Sequence, residues 1–127
     1  MEIVVGGSMK FRDKIMDVID ELNSMGIVAN CPNTSRNDPL DDKTSTKEEK
    51  LRLALDHYKA IEKADGVYFV NPGGYMGTSC KIELGYALAC KKLIYFSDRT
   101  NDIGLDCYVT KFIPLDKLSD FKTIEIS

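Results

Sequence analysis

Two short segments hold the residues best suited to chemistry. The first is Gly6-Gly7-Ser8-Met9-Lys10-Phe11-Arg12; the second runs from Asn71 through Gly74, Tyr75, Gly77, Ser79 and Glu83 to Ala87. Paired glycines let a backbone approach a ligand closely, and a helix that follows offers free N–H groups and a positive dipole end. Lys10 and Arg12 add positive charge suited to a phosphate. The same residues also fit a plain strand-to-helix turn with two solvated cations. Neither a phosphate-loop lysine nor a Gly-x-Gly-x-x-Gly pattern is present, which weakens NTPase and dinucleotide readings.

In the second segment Thr78 or Ser79 is placed to cap a helix, which sets Glu83 about one turn inside it. The helix dipole favours an ionised carboxylate there. Such a group suits a nucleophile or an oxocarbenium stabiliser better than a general acid. The plainer alternative is a surface glutamate that complements the dipole, although Gly85 and Ala87 suggest close packing of this helix on a sheet. Asn71, Gly74, Tyr75, Gly77 and Ser79 are candidate ligand contacts; Tyr75 and Tyr86 could stack on a base or ribose, with a core position the alternative for Tyr86.

The elements that must position these residues alternate in type. Glu2 to Val5 reads as a buried strand closed by a Gly6-Gly7 turn. Phe11, Ile15, Val18, Ile19 and Leu22 then recur at helical spacing between Met9 and Met25, with Gly26 as the stop. Ile27 to Ala29 is a second strand, and Asn30 to Ser45, rich in Pro, Asn and Asp, is expected to be a long mobile loop. A helix from about Thr46 to Lys63 places Leu51, Ala54, Leu55, Tyr58 and Ile61 on one face. Gly66 to Val70 is a third strand, about Ser79 to Lys91 a third helix and Leu93 to Phe96 a fourth strand. A weak fifth strand is expected around Cys107 to Ile113, then a short helix near Asp116 to Phe121 and an extended tail. Asp65 is expected to fix the start of the third strand.

Strands that alternate with helices pair in parallel through right-handed crossovers. The expected fold class is therefore α/β: a flavodoxin-like, doubly wound, five-stranded parallel sheet of order 2-1-3-4-5 with helices on both faces, formed by residues 1–127 as one domain. In such a sheet ligands bind beyond the carboxyl ends of the strands, at the switch point between strands 1 and 3. The two glycine-rich segments follow those two strands.

Composition narrows the function classes. The chain has 127 residues and a formal net charge of −3, which argues against non-specific binding to a nucleic-acid polymer. No apolar run approaches the roughly 20 residues of a membrane span, and the N-terminal segment lacks the basic and long apolar regions of a signal peptide. A cytosolic, cytoplasmic protein without membrane partners is expected. Cys31, Cys80, Cys90 and Cys107 are scattered with no Cys-x-x-Cys pair, so neither metal nor cofactor is expected. Cys90 reads as core, and Cys80 stands beside the candidate site.

The pattern Gly77-x-Ser79-x-x-x-Glu83-x-Gly85-Tyr86-Ala87, after a strand ending Val70-Asn71, resembles the nucleoside 2-deoxyribosyltransferase superfamily. Gly6-Gly7-Ser8 resembles the Gly-Ser turn of its nucleotide N-glycosidases. The resemblance implies a flavodoxin-like fold, and cleavage or transfer at the N-glycosidic bond of a (deoxy)nucleoside or its 5′-monophosphate. It also implies a homodimer or higher homo-oligomer, and a nucleophilic role for Glu83. The family's acid on helix 2 lies eight residues before the Asp opening strand 3, which here is His57, with Asp56 beside it. A histidine can protonate a leaving base near neutral pH. Six residues before the Glu, where transferases carry Asp and some hydrolases Ser, this chain has Gly77; the strand-1 Tyr that holds the nucleophile is replaced by Val4. The Asn and carboxylate that transferases lend to a neighbouring subunit have no match in Phe121 to Ser127.

Two further readings stay open. Pro72-Gly73-Gly74-Tyr75-Met76-Gly77-Thr78 resembles the Pro-Gly-Gly-x-Gly-Thr-x-x-Glu motif of cytokinin-activating phosphoribohydrolases, with one extra residue before Gly77 and two before Glu83. A catalytically silent nucleotide-binding module would fit Val4 and Gly77.

Overall fold

The computed structural model describes residues 1–36 and 46–126. Its centre is a parallel sheet built from β1 (Glu2–Gly7), β2 (Val28–Asn30), β3 (Gly66–Val70), β4 (Leu93–Phe96) and β5 (Lys111–Phe112), in the order β2-β1-β3-β4-β5. Side chains alternate across it, so each strand feeds two cores. Ile3, Val5, Tyr68, Val70 and Tyr95 face α1 (Arg12–Ser24) and Phe121 of α5 (Asp120–Ile126). Val4, Val67, Phe69, Ile94 and Phe96 face α2 (Lys47–Lys63) and α3 (Thr78–Ala89). This is the doubly wound class expected from the sequence, in the expected strand order.

The register brings the carboxyl ends of the middle strands level. Gly6 pairs with Phe69, Gly7 with Val70, and Phe69 with Phe96. At the opposite edge Asp65 does the corresponding work: its carboxylate accepts the Glu2 N–H at 2.7 Å, its N–H donates to Glu2 O, and its carbonyl accepts from Leu93. The role expected for Asp65 at the start of β3 holds, and it ties three strands at once.

Several local expectations are corrected. Gly6 and Gly7 belong to β1 rather than to a turn. Gly7 adopts φ +149, and a Cβ there would meet the Val70 carbonyl at 2.7 Å, so only a residue without a side chain continues the strand at this point. The first helix opens with a short 3-10 turn at Met9–Phe11, and β2 is shifted one residue, to Val28–Asn30. Leu51 and Leu55 are exposed, while His57 and Ile61 form the buried face of α2. The stripe is rotated because α2 packs on α3 as well as on the sheet. Gly85 faces open space instead of the sheet, and Ala87 alone makes the close approach. Cys90 caps the C-terminus of α3 and is half-buried, not core. A four-residue helix, α4 (Ile103–Asp106), precedes a β5 shorter than expected, and the tail is helical rather than extended. Of the loop expected over 30–45, positions 37–45 lie outside the described residues. Among the described residues no helix is long and apolar enough to cross a membrane.

These contacts generate a pair of opposite effects on stability. Gly7→Ala should lose about 2 kcal/mol or more, because the strand must shift to clear Val70. Gly85→Ala, in open space on a helix, should gain up to about 1 kcal/mol. Urea unfolding followed by circular dichroism measures both, and a neutral Gly7→Ala would contradict the pairing of Gly7 with Val70.

Candidate active site

Glu83 lies on the inner side of α3, beyond the first turn, with its side chain 15% exposed. Two features of its surroundings define the site. On β1, a Cβ at Gly6 would stand 3.4 Å from Glu83 Oε2, so the carboxylate lies against bare backbone at the carboxyl end of the strand. From α2, His57 Nε2 lies 3.2 Å from the same oxygen, with its side chain 11% exposed. The separation is that of a charge contact when the imidazole is protonated. The two groups are not aligned as a hydrogen bond, and Nε2 has no other partner among the described residues. An unpaired buried polar atom costs about 1–3 kcal/mol, which a core histidine without a role would not be expected to carry. The rotation of α2 that exposes Leu51 and Leu55 is what turns His57 inward.

Asp56, its neighbour, points elsewhere. Its carboxylate accepts from Asn33 Nδ2 at 2.9 Å and lies 3.5 Å from Arg52, so it anchors the loop after β2. The fold therefore brings His57 and not Asp56 to Glu83. Cys80, one turn before Glu83, is buried, and burial pushes its thiol up to about 12, helped by the negative charge of Glu83. It is a protonated packing group rather than a reactive thiol.

The N-terminal loop contributes in a different way. Ser8 caps the 3-10 turn, its hydroxyl accepting from the Lys10 N–H at 3.4 Å. Lys10 places its ammonium 3.3 Å from the centroid of the Tyr75 ring, and Phe11 meets the same ring edge-on at 6.1 Å. Arg12 is paired with Asp13 at 3.2 Å. Lys10 is thus the cation facing the second segment, and Arg12 is already engaged. A small cavity of about 150 Å³ is lined by Lys10, Phe11, Asp13 and Lys14. A larger one of about 210 Å³, lined by Lys14, Val18, Leu115 and Leu118 among others, lies on the α1 side of the sheet, away from Glu83.

The second segment is a braced loop. Asn71 is buried; its N–H donates to Ser97 Oγ at 2.9 Å and its Nδ2 to the Asp98 carbonyl at 2.9 Å. Its Oδ1 accepts from the Ser97 hydroxyl and the Asp98 N–H, both at 3.0 Å. The Gly73 N–H donates to Asp98 Oδ2 at 3.0 Å. Asn71 therefore holds the end of β3 to the end of β4, and its side chain is occupied by protein partners rather than turned to a ligand. Gly74, at φ +81, passes so close to the following loop that a Cβ would meet Arg99 O at 2.4 Å. That loop is held in turn by Asp106, whose carboxylate accepts from the Thr100 hydroxyl and from the N–H groups of Thr100 and Asn101. Burial alone would raise the Asp106 carboxyl, but these hydrogen bonds outweigh it and hold it below its ordinary value.

Gly77, not Thr78 or Ser79, is the N-cap residue of α3, with no side-chain cap, and Ser79 is exposed in the first turn. Tyr75 folds back over Gly77, its hydroxyl 3.4 Å from where a Cβ at position 77 would be. A hydroxyl from position 75 therefore occupies the space next to a position without a side chain. Tyr86 turns to α2: it stacks on Tyr58 at 4.8 Å between centroids and hydrogen-bonds Glu62, which pushes its phenol up to about 12. It is a helix-to-helix contact and not a base platform. Among the described residues no three His, Cys, Asp or Glu side chains are grouped to hold a metal.

Sequence reasoning missed Ser97 and Asp98, although a polar pair directly after a buried strand, at the end where ligands bind, was a usable signal. It also missed the Lys10–Tyr75–Phe11 cluster, which no spacing within one segment could reveal.

No family model matches the chain, and no curated protein matches it significantly. Solved structures do. The CMP N-glycosidase BcmB of Clostridium botulinum aligns over 100% of both chains with a TM-score of 0.57 and 20% identity. A 2-deoxyribosyltransferase from Bacillus psychrosaccharolyticus aligns over 95% of this chain and 90% of its own, with a TM-score of 0.67 and 15% identity. A conserved protein from Enterococcus faecalis covers 95% and 98%, with a TM-score of 0.63 and 12% identity. At these identities the likeness is one of fold: the chain has the α/β fold seen in the deoxyribosyltransferase and the N-glycosidase.

The brace after β3 is open to direct test. Asn71→Ala should lower the unfolding free energy by about 2–3 kcal/mol. The double variant with Ser97→Ala should lose less than the sum of the two single losses, since both belong to one network. Strict additivity in chemical denaturation would separate the two residues.

Proposed function

We propose that the protein cleaves or transfers at the N-glycosidic bond of a (deoxy)nucleoside or nucleoside 5′-monophosphate, with Glu83 as nucleophile. One observation carries the reading: a shielded carboxylate set against bare strand backbone and a histidine, at the switch point of a parallel sheet. The fold shared with an N-glycosidase and a deoxyribosyltransferase supports the same chemistry. In the proposed reaction Glu83 Oε attacks C1′ as the C1′–N bond breaks, and the base departs with a proton. Water then opens the glycosyl ester and restores the carboxylate, which is hydrolysis; a second base in place of water gives transfer.

Gly6 leaves the space beside the carboxylate that a sugar ring would need, and the end of β1 at Gly7, with Ser8 and Lys10, borders it. Tyr75, half-exposed and next to Gly77, is the aromatic candidate for a base or ribose face, and Gly74 and Ser79 complete the rim. A second reading, nucleotide binding without turnover, is favoured by Val4, which is fully buried and offers no hydroxyl to Glu83.

We also propose a homo-oligomer and a cytosolic setting. Leu51 and Leu55 on α2 and Ile82 on α3 are exposed on two helices that pack together, and Cys80, Cys90 and Cys107 are free thiols, as suits a reducing compartment. Sedimentation should show a dimer or larger species at micromolar concentration that Leu55→Glu converts to monomer; a wild-type monomer would refute the assembly.

The activity is tested with a panel of nucleosides and 5′-monophosphates, with and without a second free base, following base release by chromatography. Glu83→Gln should reduce release by roughly a thousandfold, about 4 kcal/mol of barrier. No release by the wild type, together with a nucleotide that raises Tm, would favour the silent binding module.

A further inference from the structure

We propose that His57 acts on Glu83 itself, holding the carboxylate in its attacking position, and does not protonate the departing base. The inference rests on the reading of Glu83 as nucleophile. Nε2 lies 3.2 Å from Oε2, and both side chains are largely withdrawn from water. An acid for the leaving base would have to face the side of the sugar opposite the attacking oxygen, because displacement at C1′ brings the nucleophile in as the base goes out. A group in contact with the attacking oxygen stands on the wrong side for that task. Val4, the residue of β1 on this face of the sheet, is apolar and buried among Ile61, Val67 and Phe69, so it offers the carboxylate no hydrogen bond. Gly6 stands beside Oε2 but has no side chain to offer it. His57 is thus the side chain placed to fix Oε2, and that contact accounts for a buried Nε2 with no hydrogen-bond partner among the described residues. The arrangement needs two helices rather than one, since α2 supplies the imidazole and α3 the carboxylate.

Two measurements separate positioning from acid catalysis and from a purely structural role. The first compares wild type, His57→Gln and His57→Leu on a nucleoside or monophosphate and on the 4-nitrophenyl glycoside of the same sugar, whose leaving group departs without a proton. Positioning predicts that His57→Leu loses roughly a hundredfold in kcat on both substrates, with KM nearly unchanged. His57→Gln, whose amide can donate to Oε2, should recover most of that loss. A defect that vanishes on the nitrophenyl glycoside would make His57 the acid and overturn the proposal, as would equal losses in both variants.

The second measurement needs no turnover. His57 is the sole histidine of the chain, so its imidazole nitrogen resonances are assigned without ambiguity in 15N NMR. The Nε2 resonance should be displaced in Glu83→Gln and unmoved in Asp56→Asn; an unmoved resonance in Glu83→Gln overturns the contact. A displaced resonance with no wild-type turnover on any substrate would remove the glycosidic reading and leave the contact standing. Turnover with an unmoved resonance would remove the inference and leave the reading.

Discussion

A carboxylate cannot leave water without something to compensate it, and in this protein the shielding of Glu83 sets that demand. With 15% of its side chain exposed, Glu83 meets a buried imidazole on one side and strand backbone on the other. The imidazole lies on the face of α2 that packs on α3 and the sheet, while Leu51 and Leu55 are exposed on another face. At position 6 a Cβ would come into van der Waals contact with Oε2 and the Phe69 ring, both at 3.4 Å, so glycine leaves that space open.

The loops around that carboxylate differ widely in how firmly they are held. Buried Asn71 and Ser97 form a hydrogen-bonded network that extends to the backbone of Asp98 at the surface, and the buried part of such a network is rigid and expensive to break. Asp106 extends the same bracing to the segment that lies against Gly74. The β3 and β4 ends are consequently in place before any ligand arrives, so binding need not order them.

What was legible in the sequence follows from how local each determinant is. β1, β3 and β4 could be read because β-branched and aromatic runs between turn residues need no tertiary context, and their spacing by helices dictates the parallel order. Glu83 and the glycine segments could be read because position relative to a strand end is a fold-level rule. The face of α2 could not: Leu51, Leu55, Tyr58 and His57 fit two neighbouring stripes, and the choice is made by α3, not by propensity. The start of α3 was misjudged for the same reason, since Thr78 and Ser79 favour a cap in isolation while the Tyr75 ring over Gly77 sets the boundary one residue earlier. α4 is invisible to periodicity because four residues make one turn; side-chain acceptors, Asp102 to the Gly104 N–H and Asp106 to the loop before it, hold it in place. His57 could be singled out in the sequence, but its contact with Glu83 became visible only in three dimensions.

The contacts that join the two glycine-rich segments are of another kind from the Asn71 brace. Lys10 lies over the exposed Tyr75 ring and Phe11 meets its edge. An exposed cation–π contact is worth about 0.5–1 kcal/mol, and an aromatic edge contact is of similar size. Breaking a buried hydrogen-bonded network such as the one around Asn71 costs several times more. The difference decides which part can yield. Under the proposed function, a ligand entering between β1 and β3 would displace the Lys10–Tyr75 contact at small cost, while the braced strand ends behind it stay fixed. Because Gly77 has no side chain, the Tyr75 hydroxyl rests in the space beside it. The surroundings of Glu83 therefore combine strand ends braced through Asn71 with a weakly tethered pair, Lys10 and Tyr75, in front of them.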